Sequence, residues 1–230
     1  MSGTSLAGSV LIVGGAGFVG GALVRRLLQE PPGRIIVVDN LLSADISNVP
    51  EHPAVDFMLA SITDDKVLES LPSDLDIVFH LACYHGNQSS VHDPLADHRN
   101  NALTTLKLFD RLKTFGSLQK VVYAGAGCAV AAKTFDQAVA TAEDAPVSLL
   151  HDTPYSISKL VGEMYGNYYF LRYGLPLVTA RFRTSTSGWR ESKPAGTGFG
   201  RGQITHHAVK SRLLAAGMPQ RKRWSCWSGF

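Results

Sequence analysis

Tyr155 and Lys159 stand four residues apart in Tyr155-Ser-Ile-Ser-Lys159, at the start of a helically patterned stretch that runs to about Arg172. On a helix this spacing brings phenol and ammonium onto one face, where the cation stabilises the phenolate and lowers the tyrosine's pKa. A tyrosine tuned in this way can remove a proton from a hydroxyl while hydride leaves the same carbon for an acceptor. Alone, the pair is a frequent surface pattern, and its meaning depends on what surrounds it.

A second group of residues supplies a place for a dinucleotide. Val10-Leu-Ile-Val-Gly-Gly-Ala-Gly-Phe-Val-Gly20 reads as a buried strand, a glycine turn and a helix start, with Gly14, Gly17 and Gly20 at three-residue spacing. Gly14 permits the tight turn, Gly17 lets backbone approach a pyrophosphate, and Gly20 allows close packing of helix on strand. The helix opens at Phe18 and Val19, where free N–H groups and the positive end of the dipole favour an anion. By itself the triplet equally suits a sharp strand-to-helix corner. Ile35-Ile-Val-Val-Asp39 sharpens the reading, because it ends a second strand with a carboxylate 19 residues after Gly20. An acid there accepts hydrogen bonds from a ribose 2′-hydroxyl and repels a 2′-phosphate, which favours NAD over NADP. Its plainer role is that of a turn former at a strand end.

The elements that must position these groups are short apolar runs with helical patterns between them. Val10 to Val13, Ile35 to Val38, Ile77 to Leu81, Lys120 to Ala124 and Leu177 to Phe182 read as strands, and Val55 to Leu59 fills the gap after the second. Continuous runs of this length suit strands covered on both faces. Val19, Leu23 and Leu27 share one helical face, and Leu103, Leu106 and Phe109 begin another. The alternation predicts an α/β fold, a doubly wound parallel sheet of Rossmann type with helices on both faces.

With the glycine turn, Asp39 and the Tyr155/Lys159 pair, residues 9 to 182 resemble the extended short-chain dehydrogenase/reductase family of NAD-dependent sugar-nucleotide epimerases and dehydratases. The likeness extends to Asp39-Asn-Leu-Leu-Ser43, to His80-Leu-Ala82, to Ser90 four residues before Pro94, to Asn101 seven residues after it, and to Arg181. It implies that Tyr155 is the catalytic acid/base and that Lys159 both tunes it and binds the nicotinamide ribose. Asn40, Ser61, Ile62, Leu81 and Ala82 are then cofactor-groove residues, and Asn101 helps to order the active-site end of the sheet. Outside that resemblance, Leu81 and Ala82 read as core and Asn101 as a helix cap. The implied activity is epimerisation of a nucleoside-diphosphate sugar, as in UDP-glucose 4-epimerases, through a transient keto intermediate. It also implies a homodimer bundle built from helices at 101 to 115 and 155 to 172.

Three departures qualify the resemblance. Tyr123-Ala-Gly-Ala-Gly-Cys-Ala-Val130 puts Gly127 where relatives carry a catalytic Ser or Thr, and losing one such donor costs on the order of a hundredfold to a thousandfold in rate. Cys128 is a candidate substitute as a weak donor, although a buried structural cysteine is the commoner role. No acid directly follows Gly127, which favours epimerase over dehydratase chemistry. Ser61-Ile62 replaces an Asp-Ile beside the adenine, keeping an acceptor but losing its charge. After Phe182, where relatives run Asn-Val-Tyr into a substrate lobe, this chain reads Arg183-Thr-Ser-Thr186. Asn-Val-Tyr encoded AAC GTC TAC and read one base later gives Thr-Ser-Thr, so a frame shift near Arg183 accounts for the change.

Charge supports such a break. Of the 22 Lys and Arg, ten lie beyond residue 180, whereas of the 19 Asp and Glu only Glu191 does. Trp189, Trp224 and Trp227 are all in the same stretch. Residues 1 to 182 are therefore read as the NAD-binding domain and 183 to 230 as an atypical basic tail, loop-like or disordered, with the substrate lobe truncated or replaced. A nucleic-acid-binding arm is the rival reading of the tail, disfavoured because no recognised domain organises its charges. The absence of a long apolar run or export signal points to the cytoplasm rather than a membrane. Cys83, Cys128 and Cys226 lack metal-ligand spacing, and no metal site is expected.

Overall fold

The computed structural model describes residues 8–84, 87–127, 147 and 149–182, so Cys128 and the 183–230 tail lie outside the described residues. Six strands form one sheet: β1 (Ser9–Val13), β2 (Arg34–Asp39), β3 (Val55–Leu59), β4 (Ile77–His80), β5 (Lys120–Ala126) and β6 (Leu177–Phe182). Their spatial order is β3-β2-β1-β4-β5-β6, and every neighbouring pair is parallel. This is the doubly wound arrangement, in which the order reverses between β1 and β4 and leaves a crevice at their carboxyl ends.

Alternation along the strands sends side chains to two cores. Leu11 and Val13 of β1 join Val78 and Tyr123 against Leu108, Phe109 and Leu112 of α5 (Thr104–Leu112). Val10 and Ile12 join Ile35 and Val37 against Val24 and Leu27 of α1 (Phe18–Leu27). With both sheet faces covered, the near-continuous apolar strands that the sequence shows are required.

Two helical faces differ from expectation. On α1 the buried residues are Gly20, Gly21, Val24 and Leu27, while Val19 and Leu23 are only half-buried, because Gly20 presses directly on the glycine turn. Leu103 is exposed rather than core, whereas Thr104, Thr105, Leu108, Phe109 and Leu112 face inward. The cause lies just upstream. After α2 (Asp65–Ser70), α3 (Asn87–His92) and α4 (Pro94–Asp97), residues His98–Leu103 form a π-helical turn that winds the chain differently from an α-helix.

The helix bearing the Tyr-x-x-x-Lys pair, α6 (Pro154–Tyr173), is specified at each end. The Thr153 hydroxyl accepts from the Ser156 N–H, Pro154 occupies the first turn, and Gly174 ends the helix with φ +73°. No helix among the described residues is long and apolar enough to cross a membrane.

Candidate active site

The turn after β1 is built so that backbone, not side chain, faces the crevice. Gly14 adopts φ +84°, and a Cβ there would sit 2.5 Å from the Ala82 nitrogen. A Cβ on Gly20 would sit 2.3 Å from the Gly14 carbonyl oxygen, a clash with backbone that no rotamer relieves. Both positions therefore require glycine for this turn to close over the start of α1. That leaves a cradle into which the helix N-terminus can direct its free N–H groups.

Asp39 ends β2 beside the cradle. Its Oδ2 accepts from the Ala16 N–H at 3.0 Å, and its Oδ1 accepts from the Leu41 N–H at 2.9 Å. Leu41 is held at φ +56°, a conformation unusual for a branched residue, and the bond to Asp39 offsets its cost. From the other side, the Asn48 side-chain amide donates to the Ala16 carbonyl at 2.9 Å. The peptide units flanking Ala16 are thus clamped from both sides, one role that sequence pattern did not suggest for Asn48.

A cavity of about 290 Å³ opens here. Gly14, Gly17, Phe18, Val19, Gly20, Asp39, Asn40, Ser61, Ile62, Leu81 and Ala82 all line it, so eleven residues read as cofactor-binding from sequence are brought together. Leu42 and Ser43, from the Asp39-Asn-Leu-Leu-Ser43 motif, also line it, and Thr63, Cys83, Tyr84, Asn100 and Thr104, which were not read as cofactor-binding, complete much of the wall. Ser61 does not point a free hydroxyl at the space, since its oxygen shares a hydrogen bond with Thr63 Oγ1 at 2.8 Å.

Asn101 is not among the lining residues, and Asn100 takes that place. Instead of touching the cavity, the Asn101 side chain accepts from the Tyr84 N–H at 2.8 Å and donates to Asp97 Oδ1 at 2.7 Å. It orders the segment after β4 from behind, within the π turn rather than as a cap.

Tyr155 and Lys159 lie beyond this cavity, on the first turns of α6. Lys159 is almost completely buried, and its Nζ donates to the Ala124 carbonyl at 2.9 Å, while the ammonium stands 5.9 Å from the centre of the Tyr155 ring and 5.3 Å from that of Tyr123. The Ser90 hydroxyl accepts from the Tyr155 N–H at 3.1 Å, tying α6 to α3. Two of the titratable groups beside Lys159 are kept neutral by burial. Burial, reinforced by the Lys159 charge, lowers the His80 imidazole to about 3, with its Nε2 against Thr105 Oγ1 at 2.9 Å. Burial likewise pushes the Tyr123 phenol well above the usual range. A cation in a buried pocket acts strongly on a nearby phenol.

At the strand ends, Arg181 of β6 pairs with Glu163 of α6, Nη2 to Oε2 at 2.7 Å. The pair passes over Gly125, where a Cβ would approach Glu163 Oε1 to 2.7 Å. Arg181 matched the resemblance, but its partner carried no signal beyond position, four residues after Lys159 on the same helix. Gly127 follows β5 as a buried residue with no hydroxyl to offer. Among the described residues no cluster of His, Cys, Asp and Glu could hold a metal ion.

Known proteins share the fold of this chain. The Bordetella bronchiseptica enzyme WbmF, solved in complex with NAD+, superposes with a TM-score of 0.67 and 53% identity, covering 78% of this chain and 51% of that one. The same enzyme has been solved with NAD+ and UDP, at 54% identity and a TM-score of 0.66, covering 77% and 50%. A putative UDP-glucose 4-epimerase from Methanocaldococcus jannaschii is 30% identical over 174 residues, which are 75% of this chain and 54% of that protein. The chain spans about half the length of the curated relatives it matches. The glycine cradle, Asp39 and the Tyr155–Lys159 helix accompany a family-model match over residues 10–211, and the chain belongs to the NAD dependent epimerase/dehydratase family.

Proposed function

We propose that this chain provides the cofactor-binding and proton-transfer half of an enzyme that epimerises a nucleoside-diphosphate sugar, in the manner of UDP-glucose 4-epimerases. The observation that carries the reading is the buried Lys159 ammonium fixed on the Ala124 carbonyl with the Tyr155 ring 5.9 Å away. NAD, when bound, supplies the hydride acceptor and donor. Gly14, Gly17 and Gly20 would make room for its pyrophosphate, and Asp39 would accept from its ribose hydroxyls. Tyr155 removes the proton from a sugar hydroxyl and returns it to the same oxygen after inversion. Lys159 holds that phenol ready to ionise.

The test is incubation with UDP-glucose and UDP-N-acetylglucosamine, monitoring sugar configuration by NMR. Turnover should fall about a hundredfold to ten-thousandfold in Tyr155→Phe. Equal turnover by that variant overturns the role of Tyr155, and a product that has lost water assigns dehydratase chemistry instead. The buried Gly127, standing where relatives carry a hydroxyl, favours a second reading: a chain that binds NAD without turnover. Calorimetric NAD binding with no conversion of any UDP-sugar would select it.

Two further proposals concern partners and chain organisation. Ile157, Met164 and Leu171 recur every seven residues along α6 and are all exposed, an apolar stripe that supports a homodimer through this helix. The 183–230 segment is proposed to be frame-shifted or replaced sequence. Genomic nucleotides near the Arg183 codon whose alternative frame does not encode a sugar-nucleotide lobe would end that idea.

A further inference from the structure

We infer that Asp97 and Ser158 are positioning residues that fix the Tyr155–Lys159 turn of α6 against the wall of the cofactor cavity, an inference resting on the acid/base reading of that pair. The Asp97 carboxyl has no exposed surface, and its two oxygens are taken by side chains from two different elements. Asn101 Nδ2 donates to Oδ1 at 2.7 Å, and the Ser158 hydroxyl donates to Oδ2. Asn101 in turn accepts from the N–H of Tyr84, a cavity-lining residue, at 2.8 Å. A continuous polar path therefore runs from the cavity wall through Asn101 and Asp97 to Ser158, the residue before Lys159.

In the first two turns of α6 the buried residues are Ser156, Ser158 and Lys159, Leu160 and Val161 are only half-buried, and no large hydrophobic side chain is fully buried before Tyr169. Burial of apolar surface is itself non-directional. The fine rotation of this turn about the helix axis, which decides where the phenol and ammonium point, is therefore assigned to its directional bonds. Ser90 holds the Tyr155 N–H, and Asp97 holds the Ser158 hydroxyl. A buried carboxyl paired with neutral groups is a costly way to join two helices when apolar residues of similar volume would serve. The arrangement fits a site whose geometry matters more than its stability.

The test is the ionisation of Tyr155 with excess NAD present, followed by carbon-13 NMR of protein labelled at tyrosine Cζ. The resonance is assigned by its absence in Tyr155→Phe. Of the other groups about Lys159, His80 and Tyr123 stay neutral through burial, Glu163 is paired with Arg181, and Cys83 and Asp97 face Tyr123, so Cys83→Ala is the common background of all the variants compared. Asp97→Asn and Ser158→Ala should each raise the Tyr155 midpoint by about one pH unit, roughly tenfold in the phenol-to-phenolate ratio. Ser158→Thr, which keeps the hydroxyl, should restore it. The direction discriminates, because removing a negative charge that acted only through space would lower the midpoint. Midpoints unchanged or lowered in both variants overturn the inference. Lys159→Met separates the two levels: if it leaves the midpoint where it was, the acid/base pair fails and the inference falls with it. If it raises the midpoint while Asp97→Asn and Ser158→Ala do not, only the positioning role is lost. Ser158→Ala deletes a single oxygen, so the question stays answerable should Asp97→Asn not fold.

Discussion

Replacing Asp39 by alanine should damage the stability of the fold and its affinity for NAD through separate bonds, which makes it the most informative single change. The Asp39 carboxylate accepts two backbone N–H groups, Ala16 at 3.0 Å and Leu41 at 2.9 Å. Hydrogen bonds to a charged acceptor contribute about 1.5–3 kcal/mol each, so their gross loss is roughly 3–6 kcal/mol. Two effects reduce it. Leu41, no longer tethered at φ +56°, relaxes to an ordinary conformation and recovers about 1 kcal/mol or more. Water entering from the adjoining cavity replaces part of what Ala16 loses. The net expectation is a loss of roughly 2–3 kcal/mol, read as a lower urea midpoint at unchanged slope. Binding loses the acceptors for the ribose hydroxyls and the clamp on the glycine turn together, so calorimetry should show NAD weakened by at least about a hundredfold. A stability change under about 0.5 kcal/mol combined with less than threefold weakening would refute both the clamp and the ribose contact.

Gly20→Ala places a methyl 2.3 Å from the Gly14 oxygen, so the turn must move off α1; calorimetric NAD affinity should fall by more than tenfold, and near-normal affinity would contradict the cradle. Acid should destabilise the protein through His80. Its imidazole titrates at about 3 when folded against 6.5 ordinarily, because it is buried and beside Lys159, so the unfolded chain binds the extra proton. The effect is absent above about pH 6.5 and grows as a penalty on the folded state as pH falls toward 3, at up to about 1.4 kcal/mol per unit. Urea midpoints measured from pH 7 to 4 should fall less steeply in His80→Gln, and parallel slopes would count against this source of acid sensitivity.

The central strands β1, β2, β4 and β5 were legible because parallel strands covered on both faces must be apolar along most of their length, and the runs read for them differ from the strands by one or two residues at one or both ends. The edge strands Val55–Leu59 and Leu177–Phe182 coincide with their runs although they are only half-buried and carry Asp56 and Arg181. The cradle was legible for a different reason: Gly14 and Gly20 face backbone at distances where any other residue clashes, and such constraints leave a spaced pattern. The π turn at His98–Leu103 left none, since it arises from packing and not from local propensity, and it displaced Leu103 from the core. Asn48, Asp97 and Ser158 were also invisible. Each acts through one side chain reaching an element distant in sequence: Asn48 to Ala16, Asp97 to Ser158. Periodicity cannot report contacts of that kind.

The same contrast separates the two halves of the chemistry. Cofactor binding depends on backbone shape, set by glycines and two clamping side chains, and a shape of this kind is complete within one sheet edge. Proton transfer depends on a charge placed near a phenol, and the energy of that arrangement changes steeply with distance in a buried site. Lys159 meets the requirement by donating to Ala124 on β5, and the phenol it serves rides on a helix turn whose apolar side chains are only half-buried. Gly127 has no side chain with which to touch that turn, which Ser90 and Asp97 hold from the α3–α4 side and Ala124 holds from β5. A hydroxyl placed at 127 leaves all three of these bonds in place. Gly127→Ser should consequently leave the Tyr155 midpoint unchanged while raising any turnover that UDP-sugars support. A shifted midpoint would show that the end of β5, and not α3–α4, positions the phenol.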